Sequence, residues 1–219
     1  MIDFNRLVDK HIEREHRPKQ IGRYYPSEIG SCLRKLFYSY KYPMKVDKEL
    51  LKIFELGNIM HGFVVEVMKS VKQNEVELLK SEMPFKIERD DFVISGRVDD
   101  LILVKSDGKS VLVEVKSHKN IESVNKASSN HVAQLMFYMY ATGVHDGVVL
   151  YVDKNTLQSK VFEIPFDEHK SAEISDKFSF LHKSLVKDEL PEAEAKTVKD
   201  MTWMCRFCEY RDKCNKNEK

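Results

Sequence analysis

Apolar positions at Ile2, Phe4, Leu7, Val8 and Ile12 recur with helical spacing and predict a helix over residues 2–16, ended by Pro18. Tyr24-Tyr25-Pro26-Ser27 leads into a second helix that carries Cys32, Leu33, Leu36 and Phe37, with Ser27 as its N-cap and Pro26 just outside. Residues 47–72 read as a third helix in spite of Gly57 and Gly62. The pattern then turns strand-like over 75–88, 91–104 and 110–117, with Ser106-Asp107-Gly108-Lys109 as a hairpin turn between the last two. Residues 124–142 contain a helix with Ala133, Leu135, Met136, Met139 and Tyr140 among its apolar positions. Two strands at 147–153 and 159–165, a helix at about 167–187 and a charged tail from Pro191 complete the chain. This order predicts a mixed α/β core with helices at both ends.

Composition narrows the possibilities. The 219 residues include only 8 Gly and 6 Pro, which excludes a collagenous or Pro/Gly-rich disordered chain. Lys+Arg is 36 and Asp+Glu 35, a net charge of +1, so any nucleic-acid contact must come from a local patch. No apolar run reaches the roughly 18 residues of a membrane-spanning helix. The charged N-terminal stretch has no secretory pattern, and the expected location is the cytoplasm.

Four cysteines follow, three of them in the C-x2-C-x5-C run Cys205, Cys208, Cys214, with Cys32 far upstream. In a reducing compartment such thiols more often serve metals than disulfides. Their softness suits zinc or an iron–sulfur cluster, and ligand type does not separate the two. A three-cysteine zinc knuckle with Cys32 as an ordinary buried thiol is the simpler alternative. A four-cysteine site leaves no cysteine unassigned.

The sharpest signal is Asp99 in Gly96-Arg97-Val98-Asp99 together with Glu114 and Lys116 in Glu114-Val115-Lys116. Residues i and i+2 of a strand share a face, so Glu114 and Lys116 point one way, and Val113 and Val115 the other. Acids on a strand bounded by Val and Leu are costly to bury unpaired, and a divalent cation removes that cost. Mg²⁺ keeps waters, one of which can become a nucleophile, and a nearby Lys can orient it or stabilise phosphate charge. A lone E-x-K is equally a Glu–Lys pair on a solvated face. His61 follows Gly57 at helical i, i+4 spacing, an imidazole beside a small residue. Gln134 and Tyr138 share the same spacing and can hydrogen-bond a phosphate or stack a base, unless Tyr138 packs in the core.

Taken in order, Gly57–His61, Gly96–Asp99, Glu114–Lys116 and Gln134–Tyr138 resemble the RecB-type nuclease module of the PD-(D/E)xK superfamily. Cys32 in Cys32-Leu33-Arg34-Lys35 with the distal cysteine run is similar to its CRISPR-associated members, the family of the fourth Cas protein. The Pro of the PD signature is replaced by Val98. The resemblance covers about residues 24–214. It implies a restriction-endonuclease-like core over 45–190, a mixed sheet flanked by helices, within a single nuclease unit of 1–219. An iron–sulfur subdomain would be formed by 20–44 plus 191–219. It implies that His61, Asp99 and Glu114 hold Mg²⁺ or Mn²⁺, helped by the Val115 carbonyl, while Lys116 positions water. Gln134 and Tyr138 would support the site, and Cys32, Cys205, Cys208 and Cys214 would hold a [4Fe–4S] cluster. The family cleaves single-stranded DNA, often from the 5′ end, and helps trim spacer precursors with the Cas integrase. Arg34, Lys35, Lys119 and His131 are candidate DNA contacts, with Tyr38 and Tyr40 available for stacking. A RecB-type repair or virus-encoded nuclease, and a non-catalytic DNA-end-binding adaptor with structural zinc, are the alternatives. The absence of a G-x4-G-K-[ST] loop excludes a helicase.

Overall fold

The computed structural model describes residues 1–13 and 18–216. Helix α1, Phe4–Ile12, is capped by Asp3, whose carboxylate accepts from the Arg6 N–H at 3.1 Å. The last residues of the expected 2–16 helix, 14–16, lie outside the described residues. Strand β1, Arg23–Tyr24, precedes two helices where one was expected: α2, Pro26–Ile29, and α3, Leu33–Lys41. Pro26 is inside α2 rather than before it, with Tyr25 as N-cap, because a first-turn Pro loses no helical hydrogen bond. Ser27 is therefore not the cap. The chain breaks at Gly30–Cys32, and the Leu33 N–H that starts α3 donates to Glu194 Oε2 at 2.9 Å. A carboxylate from the far end of the chain thus satisfies an orphan donor of α3.

Helix α4, Lys48–Lys69, ends at Ser70, slightly short of the expected 72. Strands β2, Val76–Glu88, β3, Val93–Val104, and β4, Lys109–His118, follow. The β3–β4 turn uses Gly108 at φ 71°. A short 3₁₀ turn, Ile121–Ser123, precedes α5, Ser129–Thr142, which lies within the 124–142 span expected to contain a helix. Then come β5, Asp146–Asp153, β6, Ser159–Pro165, and α6, Glu168–Lys187. The tail holds α7, Glu194–Thr197, a 3₁₀ segment, Lys199–Phe207, and α8, Arg211–Lys216.

The strands form one mixed sheet in which β2 is antiparallel to β3, β3 to β4 and β5 to β6, while β4 and β5 run parallel across α5. On the β4 side of β3, β1 pairs only at Val93 and Ile94, and β4 only from Asp100 to Val104. The two strands separate beyond the Asp100–Val113 pair, while β4 continues along β5 to His118. This opening in the sheet is where the acids sit.

Helix α4 covers one face with Met60 and Val64 against Ile102, Val113 and Val115. Helix α5 covers the other with Leu135, Tyr138 and Met139 against Val98, Leu112 and Val149. The outer side of α5, Met136 and Phe137, packs against α3 and against Phe178 and Leu181 of α6. Buried on both sides, α5 is apolar without a clean stripe, and Gln134–Met139 are all buried. The tail returns to the N-terminal helices: the Tyr210 hydroxyl donates to the Tyr42 carbonyl at 3.1 Å, and its ring meets Tyr38 at 5.7 Å.

Candidate active site

Asp99 sits at the point where β3 leaves β4. The Val115 N–H, free of a β3 carbonyl there, donates to Asp99 Oδ2 at 2.9 Å. Glu114 and Lys116 project from the same face of β4, as the alternation required. The Lys116 ammonium pairs with Glu114 Oε1 at 2.5 Å, while Glu114 Oε2 has no hydrogen-bond partner among the described residues. Glu114 is completely buried. Burial, and then the charge of Asp99, push its carboxyl up to about 8. Burial likewise raises Asp99, opposed by Lys116 and the Val115 N–H. Burial alone would lower the Lys116 ammonium, but the charges of Glu114 and Asp99 hold it above its ordinary range. The two acids and the amine thus act on one another across the opening.

His61 reaches the same place from α4, though its partner differs from expectation. Its Nε2 lies 3.0 Å from Oδ2 of Asp100, a fully buried residue not anticipated from the sequence. The Asp100 hydrogen bond, with the charges of Asp99, Asp100 and Glu82, raises the imidazole pKa against the pull of burial. Its Nδ1 faces Glu82 Oε1 at 3.5 Å, and Glu82 Oε2 accepts from Arg97 at 2.8 Å. Glu82 takes φ 52° inside β2, close to a bulge between Leu78 and Lys80. The doublet Asp99-Asp100 was the available clue: consecutive strand residues project differently, so one acid could serve the opening and the other the helix. Gly57 is not sterically required, since a Cβ there would come no closer than 3.9 Å to Ser117 Oγ.

Gln134 and Tyr138 are both buried and bonded to each other, Nε2 to the phenol oxygen at 2.9 Å. Burial, then the Glu114 charge, keeps Tyr138 protonated. His131 is half-buried and pairs with the Tyr151 hydroxyl at 2.7 Å, and burial lowers it to about 3. Lys119 is exposed, while Lys35 pairs with Glu209 at 3.0 Å and Arg34 donates to the Pro191 carbonyl at 2.7 Å. The expectation that Tyr38 and Tyr40 stack bases fails: they are 1% and 5% exposed, part of the core beneath α3.

The donor set fits a divalent cation. Oε2 of Glu114 and Oδ1 of Asp100 are buried acceptors without donors, a costly arrangement that a cation relieves. No three His, Cys, Asp or Glu side chains among the described residues form a ready-made metal cage, consistent with His61 Nε2 being turned onto Asp100. The four cysteines are unbridged and all line one cavity of about 320 Å³ with Arg34, Lys35 and Tyr210. Burial and the neighbouring thiols Cys32 and Cys214 raise Cys205, and burial raises Cys208. No three of these thiols stand close enough among the described residues to form a metal-binding group, so the cavity gathers the cysteines without a ready-made cluster cage.

The chain can now be set beside known proteins. It is 22% identical over 207 residues to the CRISPR-associated exonuclease Cas4 of Saccharolobus solfataricus, covering 92% of each chain. Its fold is similar to the crystal structure of SSO0001, with a TM-score of 0.59, 16% identity and coverage of 96% of this chain and 92% of that one. The alkaline exonuclease LHK-Exo of Laribacter hongkongensis, in complex with dAMP, gives a TM-score of 0.51 at 15% identity, covering 85% and 93%. No helix among the described residues is long and apolar enough to cross a membrane. The profile of the PD-(D/E)XK nuclease superfamily matches residues 63–215, a span that begins just after His61 and takes in Asp99, Glu114 and Lys116. With that match over well more than half of its length, and acids and lysine meeting where its sheet opens, the chain belongs to the PD-(D/E)XK nuclease superfamily.

Proposed function

We propose that this nuclease is a metal-dependent exonuclease acting on single-stranded DNA or single-stranded overhangs, from the 5′ end. It would trim spacer precursors in CRISPR adaptation, in the cytoplasm, alongside the Cas integrase. The similarity to Cas4 supports the setting. The observation that carries the chemistry is the completely buried carboxylate of Glu114, paired with Lys116 on one oxygen, without a donor on the other, and set beside Asp99.

His61, Asp99 and Glu114, with the Val115 carbonyl, would hold Mg²⁺ or Mn²⁺. Such an ion supplies a Lewis acid for the phosphate and lowers the pKa of a bound water. Lys116, kept protonated by Glu114 and Asp99, serves as a cation: it orients the attacking water and stabilises charge developing on the phosphate, rather than acting as a base. Tyr138, accepting from Gln134, retains its own proton and steadies the α5 side of the site. Asp99 is held by the Val115 N–H, which fixes one of its oxygens and leaves the other for the ligand.

Cys32, Cys205, Cys208 and Cys214 would hold a [4Fe–4S] cluster, making 20–44 plus 191–219 a subdomain on a nuclease core of 45–190. The test is anaerobic purification with iron and sulfide analysis, then degradation of end-labelled strands with Mn²⁺ by the same sample. The expected result is a brown protein that releases the label of a 5′-labelled single strand at once and shortens a 3′-labelled one stepwise, with Asp99→Ala and Glu114→Ala inactive. Full activity in both variants would refute the site, and a colourless zinc protein under anaerobic preparation would refute the cluster.

A further inference from the structure

The 3₁₀ segment Lys199–Phe207 buries none of its residues. Trp203 is 45% exposed and Phe207 79%, although the segment is anchored by Cys205 in the cysteine cavity. Other rings are exposed elsewhere, Phe4 and Phe180 among them, but Trp203 and Phe207 lie four residues apart on one short segment beside a basic residue, Arg206. The surrounding charge says what such a pair meets. Residues 196–216 carry six basic and three acidic side chains, in a chain whose net charge is only +1, so the rest of the protein is slightly acidic. Lys199, Arg206 and Arg211 are exposed beside the rings.

The protein beneath this surface is in contact with the opening in the sheet through buried residues. Helix α5 begins there: the Ser128 N–H donates to the Tyr151 hydroxyl at 2.9 Å, and Tyr151 is the register partner of Lys116. Gly30 is pressed against that helix start, where a Cβ would meet Asn130 Cα at 2.4 Å. Two residues further on, Cys32 lines the cavity with Thr202, Cys205 and Cys208. Adjacent residues thus lead from Lys116 to the exposed segment.

We propose that Lys199–Phe207 is a landing platform for single-stranded nucleic acid, with bases stacking on Trp203 and Phe207 and phosphates meeting Lys199, Arg206 and Arg211. Aromatic faces interleaved with cations bind strands without regard to sequence. A neutral or basic protein would gain from the rings but not from the basic surplus, whereas the regular negative charge and base faces of a strand use both. The choice of a single strand rests on the proposed nuclease function, but the platform is tested without cleavage.

The experiment is fluorescence anisotropy of a labelled twelve-residue oligothymidylate with the full chain in EDTA, at several salt concentrations. Base–aromatic stacking is worth about 1–3 kcal/mol per base, so Trp203→Ala and Phe207→Ala are each expected to weaken binding about 5- to 150-fold. Trp203→Phe should retain most of the affinity. Lys199→Glu and Arg206→Glu, which leave both rings in place, should weaken binding and flatten its salt dependence, with iron content unchanged. Wild-type-like affinity in the Trp203→Ala, Phe207→Ala and charge variants overturns the platform, as does self-association lost in these variants with oligonucleotide affinity intact. A wild type that binds through the rings yet does not cut with Mn²⁺ upholds the platform and refutes the nuclease function instead.

Discussion

A carboxylate with no exposed surface and a partner on only one of its oxygens strains the protein that carries it, and Glu114 is such a group. Its folded pKa of about 8 lies above the ordinary 4.5, so the folded state keeps a proton that the unfolded chain releases. Metal-free stability should therefore fall as pH rises from 4.5 to 8. Glu114→Gln is expected to melt higher than wild type in EDTA at pH 8, by about 1–3 kcal/mol of stability, while losing cleavage. His131 behaves in the opposite sense. Lowered from 6.5 to about 3, it favours the folded state above 6.5, and that stability is lost as pH falls toward 3. Denaturation midpoints of wild type and His131→Gln at pH 7 and pH 4.5 should show a smaller acid loss in the variant. Asp100 is the acid that reading the sequence missed. As the partner of His61 it orients the imidazole, and Asp100→Asn should reduce metal affinity about 10- to 100-fold with the fold retained, measured by titration with Mn²⁺. The strand alternation made Glu114 and Lys116 legible. It could not make Asp100 legible, because the opening between β3 and β4 lets neighbouring acids serve different partners.

At the level of elements, β2 to β6 were readable to within a residue or two because half-buried β segments alternate and the Gly108 turn punctuates them, while the two-residue β1 is too short to show a pattern and was missed. The α2–α3 break was not readable. What starts α3 is Glu194, which no local pattern connects to Leu33. The same reason hid the burial of Tyr38 and Tyr40: α3 is enclosed by α6 and by the returning tail, so its aromatic positions face protein rather than a strand path. Gly30 marks the tightest contact between the N-terminal helices and α5. Gly30→Ala should force the two apart at a cost of about 1–3 kcal/mol, read as a lower urea midpoint with an unchanged slope.

On the scale of the whole molecule, two long-range closures bring distant parts of the chain together. The first brings α4, β3 and β4 together at one opening. The second returns the tail to α3 so that four cysteines line one cavity. Spacing of the cysteines left zinc and iron–sulfur chemistry equally open, and the resemblance to the CRISPR-associated nucleases, not periodicity, linked Cys32 to the distal run. If a cluster closes that loop, anaerobic removal of iron should lower the melting temperature and raise hydrogen exchange first in α3 and α8. The central claim concerns the first closure and is tested most directly by calorimetric titration of Mn²⁺ into the chelator-stripped protein, with cleavage of an end-labelled strand followed in parallel. Wild type should bind and cut. Asp99→Asn and Glu114→Gln should bind at least about tenfold more weakly and not cut, and Lys116→Met should bind the ion but not cut. Wild-type binding and cleavage by both acid variants would show that the opening in the sheet holds no catalytic metal.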